Sequence, residues 1–224
     1  MSNQPVAGMG LRERKKRAAR EALSWAAVRL ATERGLENVR VEEIAAEVGV
    51  SARTFNNYFP SKEAAVCSFG NERHTRIVEG LRSRPADEPL WESLIAVVAE
   101  QFSRHGGPDR EFVSRVRLMM STPSIMGEFL KSNVSAERRL ADEIARRLGA
   151  DAEVDLYPRL VAGVVGATSR IALDFWLHTE PGRPFLPMLT DALRQASAGL
   201  PVPDTFPAAP AAADPPLIPR ESVC

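Results

Sequence analysis

The chain has 224 residues, enough for one or two domains with a sizeable buried core. A formal net charge of zero excludes a polycation along its whole length, and two cysteines, Cys67 and Cys224, exclude a disulfide framework or a zinc cluster. The charge is uneven, however: through Arg84 fifteen Lys and Arg stand against ten Asp and Glu, then fourteen against nineteen, so only the front end suits a polyanion.

Residues 1–10 form an aperiodic leader, expected to be flexible. A basic run with Arg12, Lys15, Lys16 and Arg17 then enters a helix that reaches Gly35, with Leu23, Ala26, Ala27 and Leu30 on one face. Charge runs are usually solvated faces. This one leads towards the stretch described next, where it is well placed to meet phosphates.

From Val41 to Lys62 the sequence reads as two short helices set at an angle, followed by the start of another. Val41, Ile44, Ala45 and Val48 make one apolar stripe at i, i+3, i+4 and i+7. Gly49 supplies the backbone freedom for a sharp turn, Val50 plugs the corner, and Ser51 suits an N-cap. The next helix buries Phe55 and Phe59 and turns Ala52, Arg53, Thr54, Asn56 and Asn57 outward. Short polar groups on one face and apolar residues on the other suit a helix lying in a DNA major groove. An ordinary helical hairpin with a solvated polar face is the competing reading. Pro60 breaks the chain firmly, and Ser61 caps a helix running to about Arg84. Lys62, in its first turn, is a cation where the helix dipole prefers an anion; a phosphate drawn to that N-terminus would account for it.

After a loop at residues 84–89, Trp91, Leu94, Ile95, Val98 and Phe102 mark a helix to about His105, and Gly106-Gly107-Pro108 breaks it. Phe112, Val116, Met119 and Met120 mark the next, stopped at Thr122-Pro123; a long helix follows from Ser124 to Leu148. The segment from Asp155 to Thr179 is the most apolar. Its Ala162, Gly163, Gly166, Ala167 and Ser169 would admit another helix closely, whereas its flanking charges, Arg170 and Asp174 argue against a membrane span. A last amphipathic helix covers Phe185 to Ala198, and the Pro/Ala-rich tail, residues 200–224, is expected to be disordered. No stretch alternates as a strand does. The architecture is all-α, with roughly nine helices in a small N-terminal bundle on a larger C-terminal one.

No metal spacing, nucleophile motif or phosphate-cradling loop accompanies His74, His105 or His178, so an enzyme is not expected, nor any cofactor or metal. Without a signal peptide or lipidation signal, the expected location is the cytoplasm.

Leu23, Ala26-Ala27, Leu30, Gly35, Val41, Ile44-Ala45, Val48-Gly49-Val50-Ser51, Thr54-Phe55, Tyr58-Phe59 and Ser61-Lys62 resemble, in order and spacing, the TetR family of bacterial transcriptional regulators. The resemblance implies a helix-turn-helix DNA-binding domain at 11–62, a connecting helix at 63–84 and a ligand-binding and dimerisation domain at 85–199. It also implies phosphate contacts by Tyr58 and Lys62. Three positions depart from the family pattern. Arg40 stands where a Thr caps the second helix; it can reach a phosphate but cannot cap. Ala31 stands where an aromatic is common, so Leu36 is expected to fill that core. Asn56 also replaces an aromatic and is suited to read adenine.

The C-terminal half resembles a subset whose ligands are acyl-CoA-like. The expected function is a homodimeric repressor, released from a palindromic operator by a small hydrophobic effector. The alternative is a dimeric DNA-binding regulator without a small ligand, controlled by a protein partner or by abundance. The candidate pocket residues are Trp91, Phe102, Arg115, Met119, Met126, Phe129, Arg170, Asp174 and Trp176; plain core packing is the competing reading for the apolar ones, and an internal ion pair for Arg170 with Asp174. The dimer is expected to pair the small-residue helix, Leu160 to Trp176, and the last helix across the axis.

Overall fold

The computed structural model describes residues 11–103, 110–179 and 184–201, and all regular structure among them is helical. The α-helices are α1 (Leu11–Arg34), α2 (Val41–Glu47), α3 (Ala52–Tyr58), α4 (Lys62–Ser83), α5 (Leu90–Ser103), α6 (Arg110–Ser121), α7 (Pro123–Leu148), α8 (Leu156–Thr179) and α9 (Phe185–Ser197). A 3-10 turn at Leu36–Asn38 joins α1 to α2. The expected leader, the break at Gly106-Gly107-Pro108 and residues 202–224 of the tail lie outside the described residues.

Local chemistry sets the first breaks. Gly49 has φ +73°, a left-handed conformation that lets the amide of Val50 turn back to the Ala45 carbonyl at 2.9 Å and stop α2. Ser51 Oγ then accepts the Thr54 amide at 3.1 Å, and Ser61 Oγ accepts the Ala64 amide at 3.0 Å, so α3 and α4 each begin with a capped donor. Arg40 is extended and precedes α2. Its side chain is donor-only and caps nothing; instead the Glu43 carboxylate accepts the Arg40 amide at 2.8 Å, supplying the reciprocal half of a capping box.

Two cores result. The N-terminal one joins Leu23, Ala27, Leu36, Ile44, Phe55 and Phe59, all almost wholly buried, with the two Phe rings 5.6 Å apart. Leu36 packs in the same cluster as Ala31, where the larger residue was wanted. This core does not end with α3. Ala65, Val66 and Cys67 of α4 and Ile125 of α7, itself 0% exposed, belong to it. Cys67 Sγ donates to the Ile125 carbonyl at 3.6 Å, and burial pushes its thiol up to about 12, with Glu128 and Glu63 adding to the shift. On the other side of α4, Ser24 of α1 donates to the Ala65 carbonyl at 2.8 Å and accepts from Ser68 at 2.9 Å.

The larger core is built on Leu81, Leu94, Val97, Ile144, Leu189 and Leu193 from α4, α5, α7 and α9. Glu143 of α7, 3% exposed, accepts from Arg82 of α4 at 2.9 Å and pairs with Arg146. Arg147 donates to the Glu88 carbonyl at 2.8 Å and so holds the loop that enters α5. Helix α8 packs between α7 and α9. By length and composition α8 would cross a membrane, but in this fold one side of it is core.

The small residues of α8 are divided between two faces: Ala162 and Gly166 point into the chain, whereas Gly163, where a Cβ would meet nothing within 4 Å, lies between Leu160 and Val164 on the outward side. Ala162 is buried within the chain, and Gly166 faces α7 so closely that a Cβ there would lie 2.8 Å from Glu137 Oε1. Gly166 lets α7 approach. The outward side of α8 also carries large apolar residues: Leu156, Leu160, Val164, Ile171 (59% exposed) and Phe175 (54% exposed).

Candidate functional site

Two sites emerge, one on α1–α3 and one inside the C-terminal bundle. On α3, Arg53, Asn56 and Asn57 are exposed and spaced i, i+3 and i+4, on the side opposite Phe55 and Phe59. Ser51 is exposed, and Ala52, Thr54 and Tyr58 are half-buried. The Thr54 hydroxyl is 2.9 Å from that of Ser51, so the cap holds its rotor in place. Arg40 is exposed at the start of α2.

The sequence reading missed Arg20. Its guanidinium donates to the Tyr58 carbonyl at 2.9 Å and lies 4.4 Å from the centre of the Phe59 ring, tying α1 to the end of α3. Arg12, Lys16 and Arg20 stand at i, i+4 and i+8, so the stripe that carries the anchor also carries the basic arm. Arg12, Lys15, Lys16 and Arg17 are all exposed, with Arg17 3.7 Å from Glu21.

Lys62 is the main correction on this face. Its ammonium donates to the carbonyls of Leu36 at 2.6 Å and Val39 at 2.9 Å, across the turn between α1 and α2. Those carbonyls are the acceptors that a cation at this helix start was in want of, and no phosphate is needed to explain it.

The second site is a cavity of about 130 Å³, roughly ten times the least space that holds one water. Helices α4, α5, α6, α7 and α8 enclose it. Its wall is mostly apolar, from Val66, Phe102, Val116, Phe129, Leu140 and Leu173. Five of the residues expected from sequence line it: Phe102, Arg115, Met119, Phe129 and Arg170. Four do not. Trp91 is on the first turn of α5, whereas the cavity meets that helix at Val98 and Phe102, roughly 10–16 Å further along. Met126 is in the first turn of α7, before the cavity begins at Phe129. Asp174 is one residue, about 100°, round α8 from Leu173. Trp176 is beyond the cavity's end, with its ring 5.4 Å from that of Phe185. The expected Arg170–Asp174 pair is also replaced: Asp174 pairs with His178 at 3.4 Å, and Arg170 acts on Glu137.

Of the polar members of the wall, Arg115 and Arg170 were expected from sequence, whereas Arg73, His74, Asn133 and Glu137 were not. Arg73 lies 4.2 Å from the centre of the Phe102 ring and 4.9 Å from that of Phe112. Burial pushes its guanidinium down to about 9, with repulsion from Arg76 and Arg115 adding to the fall. Burial, with Arg73 and Arg139 nearby, also pushes His74 down to about 4, so its imidazole is neutral at pH 7. Arg115, 7% exposed, stacks on Trp25 of α1 at 3.1 Å from the ring centre. Burial raises the Glu137 carboxyl, against the pull of Arg170. His74 Nδ1 and Asn133 Oδ1 are buried and find no hydrogen-bond partner among the described residues.

One signal in the sequence could have found these groups. Val66, Gly70, Arg73 and Ile77 repeat at i, i+4, i+7 and i+11, as do Phe129, Asn133, Ala136 and Leu140, so Arg73 and Asn133 occupy core-facing phases. Among the described residues, no three His, Cys, Asp or Glu side chains converge as metal ligands.

Residues 25–65 match the family model described as "Bacterial regulatory proteins, tetR family", and residues 88–201 match one described as "MftR C-terminal domain". The chain is 32% identical over 175 residues to the HTH-type transcriptional regulator TcmR of Streptomyces glaucescens, covering 75% of this chain and 77% of that protein. The fatty acid degradation regulator FadR of Bacillus halodurans has a similar fold, with TM-score 0.55 at 18% identity over 81% of this chain and 96% of that one. The Thermus thermophilus FadR, solved with lauroyl-CoA, gives TM-score 0.51 at 23% identity over 85% of this chain and 98% of that one.

Proposed function

The chain belongs to the TetR family of bacterial regulatory proteins, and from that premise we propose that it is a homodimeric repressor released from a palindromic operator by a small hydrophobic effector. The family fixes the coarser statement: this is a helix-turn-helix transcriptional regulator. The observation that supports effector control is the cavity, whose walls are shared with the helices that close the N-terminal unit. Val66 and Cys67 line it and also belong to the N-terminal core, while Arg115 reaches from it to Trp25. A ligand that favours one setting of α4 and α6 shifts the spacing of the two recognition helices and thereby the affinity for DNA. Coupling of this kind is typically about 1–3 kcal/mol.

In this reading residues 11–62 bind DNA, α4 connects through residues 63–84, and residues 85–199 hold ligand and dimer contacts. Arg53, Thr54, Asn56 and Asn57 select the sequence, with Ser51 and Ala52 at the groove-facing start of α3. Arg12, Lys15, Lys16, Arg17, Arg40 and Tyr58 hold phosphates. Acyl-CoA esters are the first effector class to try, because the Thermus thermophilus FadR was solved with lauroyl-CoA. Footprinting on DNA flanking the coding region should reveal a near-palindrome with half-sites about 34–36 Å apart or a multiple of that. Adding lauroyl-CoA should then raise the melting temperature and release the DNA. A footprint unchanged at saturating lauroyl-CoA, with no thermal shift, would remove acyl-CoA from the proposal; a protein that protects no DNA would remove the whole of it.

A further inference from the structure

Two uncharged side chains in the cavity wall bury polar atoms that find no hydrogen-bond partner among the described residues: His74 Nδ1 on α4 and Asn133 Oδ1 on α7. Their places along the two helices match. Cys67 of α4 reaches the Ile125 carbonyl of α7, and further along Arg82 reaches Glu143, so α4 and α7 run in the same direction. His74 and Asn133 each stand about midway between those ties, and the common helical rise puts them at one level of the cavity. There is room beside the imidazole: Gly70, one turn earlier, also lines the cavity, and a Cβ there would meet nothing within 4 Å. The wall around them is apolar, with Val66, Phe129 and Leu140 on the same stripes. A buried polar atom left unpaired is costly, and leucine at either place would continue its stripe without that cost.

We propose that His74 and Asn133 together hold the hydroxyl group of an uncharged hydrophobic effector, whose body lies against the apolar wall. This rests on the cavity being the effector site and names the chemistry of the effector's polar group. Burial, with Arg73 and Arg139 nearby, keeps the His74 imidazole neutral at pH 7, so Nδ1 can carry a proton and donate it. The amide oxygen of Asn133 accepts. A hydroxyl serves both at once, accepting from Nδ1–H and donating to Oδ1. An ether or a carboxylate has no proton for Oδ1, an ammonium takes none from Nδ1–H, and either ion must lose its water to reach two neutral partners. The arginines of the wall are not needed to hold the hydroxyl: Arg73 stacks on Phe102, Arg115 stacks on Trp25, and Arg170 acts on Glu137. The bridge also reaches the reading head. Val66 of α4 and Ile125 of α7 both enter the N-terminal core, so a hydroxyl that joins these helices midway fixes α4 against the bundle.

The test uses four probes of similar size: octan-1-ol, its isomer 1-methoxyheptane, octanoate and octylammonium, each below its micellar concentration. Binding is read by thermal shift and Trp fluorescence, and operator release by gel shift, for the wild type, His74→Leu and Asn133→Leu. Octan-1-ol should bind wild type at least about fivefold tighter than the ether, the worth of one neutral hydrogen bond, and tighter than either ion. It should also release the operator. Each variant should stay folded, because it removes a buried unpaired atom, and should bring the alcohol-to-ether ratio close to one. Ether bound as tightly as alcohol would overturn the assignment and leave the two atoms to water. Tighter binding of either ion, or an alcohol preference that survives in either variant, would overturn it as well. Failure of all four probes to bind would do the same, and operator release by lauroyl-CoA in that preparation would show effector control standing without it.

Discussion

Lys62 donates to two backbone carbonyls, Leu36 at 2.6 Å and Val39 at 2.9 Å, so its charge fastens the start of α4 to the turn before α2. Hydrogen bonds to a charged group contribute about 1.5–3 kcal/mol each, and Lys62→Met, which removes two of them, should lower stability by about 3–6 kcal/mol at most in urea unfolding. The salt dependence of operator binding should keep its slope; a slope flatter by about one would return Lys62 to the phosphate contacts. His74 makes the opposite kind of statement. Its folded pKa of about 4 is below the ordinary 6.5, so the unfolded chain binds the proton more readily between those values. Its contribution to stability is complete above about pH 6.5 and declines as pH falls towards 4, by on the order of 3 kcal/mol. Unfolding free energies measured from pH 7 to 4 should fall less steeply in His74→Leu than in wild type, and parallel curves would count against a buried neutral imidazole.

Helix α3 is short, and most of what makes it a reading head comes from its ends. Ser51 caps it, Gly49 aims it, and Arg20 grips its final carbonyl from α1. A Cβ at Gly49 would meet nothing within 4 Å, so Gly49→Ala should cost only the backbone strain of φ +73°, about 1 kcal/mol, without a packing defect. Arg53→Ala and Asn56→Ala should weaken operator binding by about 1–3 kcal/mol each and binding to random DNA much less, as competition gel shifts would measure; equal losses on both would make these phosphate contacts. This element was legible in the sequence because its signals are local: a 3.6-residue stripe, a turn glycine and two serine caps. The Arg20 bond, between residues 38 apart in the chain, has no local signature. The cavity was half legible for the same reason. Aromatic and methionine residues announce an apolar interior, but which of them border a void depends on how five helices pack, and that information is not periodic. Trp91 and Trp176 looked no different from Phe102 in the sequence. Arg73 and Asn133 were legible in principle, as polar residues in core-facing phase, and were passed over because charge on a helix is usually solvated.

At the scale of the molecule, α8 has two apolar sides: Val161, Ala162 and Val165 are buried in the chain, and a row of large residues faces outward. Leu156, Leu160, Val164, Ile171 and Phe175 form the outward row, and we assign this row, with α9, to the dimer. Ile171→Glu with Phe175→Glu should yield a monomer by analytical ultracentrifugation, with an unchanged helical spectrum and operator affinity reduced at least a hundredfold; a dimer that persists would move the interface elsewhere. The inward face leads to α7, and α7 returns a residue to the N-terminal core: Ile125 is buried there, next to Cys67 of α4. That single side chain bears on how such a protein can be recombined. A reading head cut after α4 would carry an unfilled socket where Ile125 belongs, costing about 2–5 kcal/mol as a leucine-sized hole does. A chimera that joins this head to a foreign effector bundle should therefore fold only if the graft brings an equivalent apolar plug at the start of its own α7. The unit of exchange is the head together with that plug, which lies about forty residues beyond the end of α4.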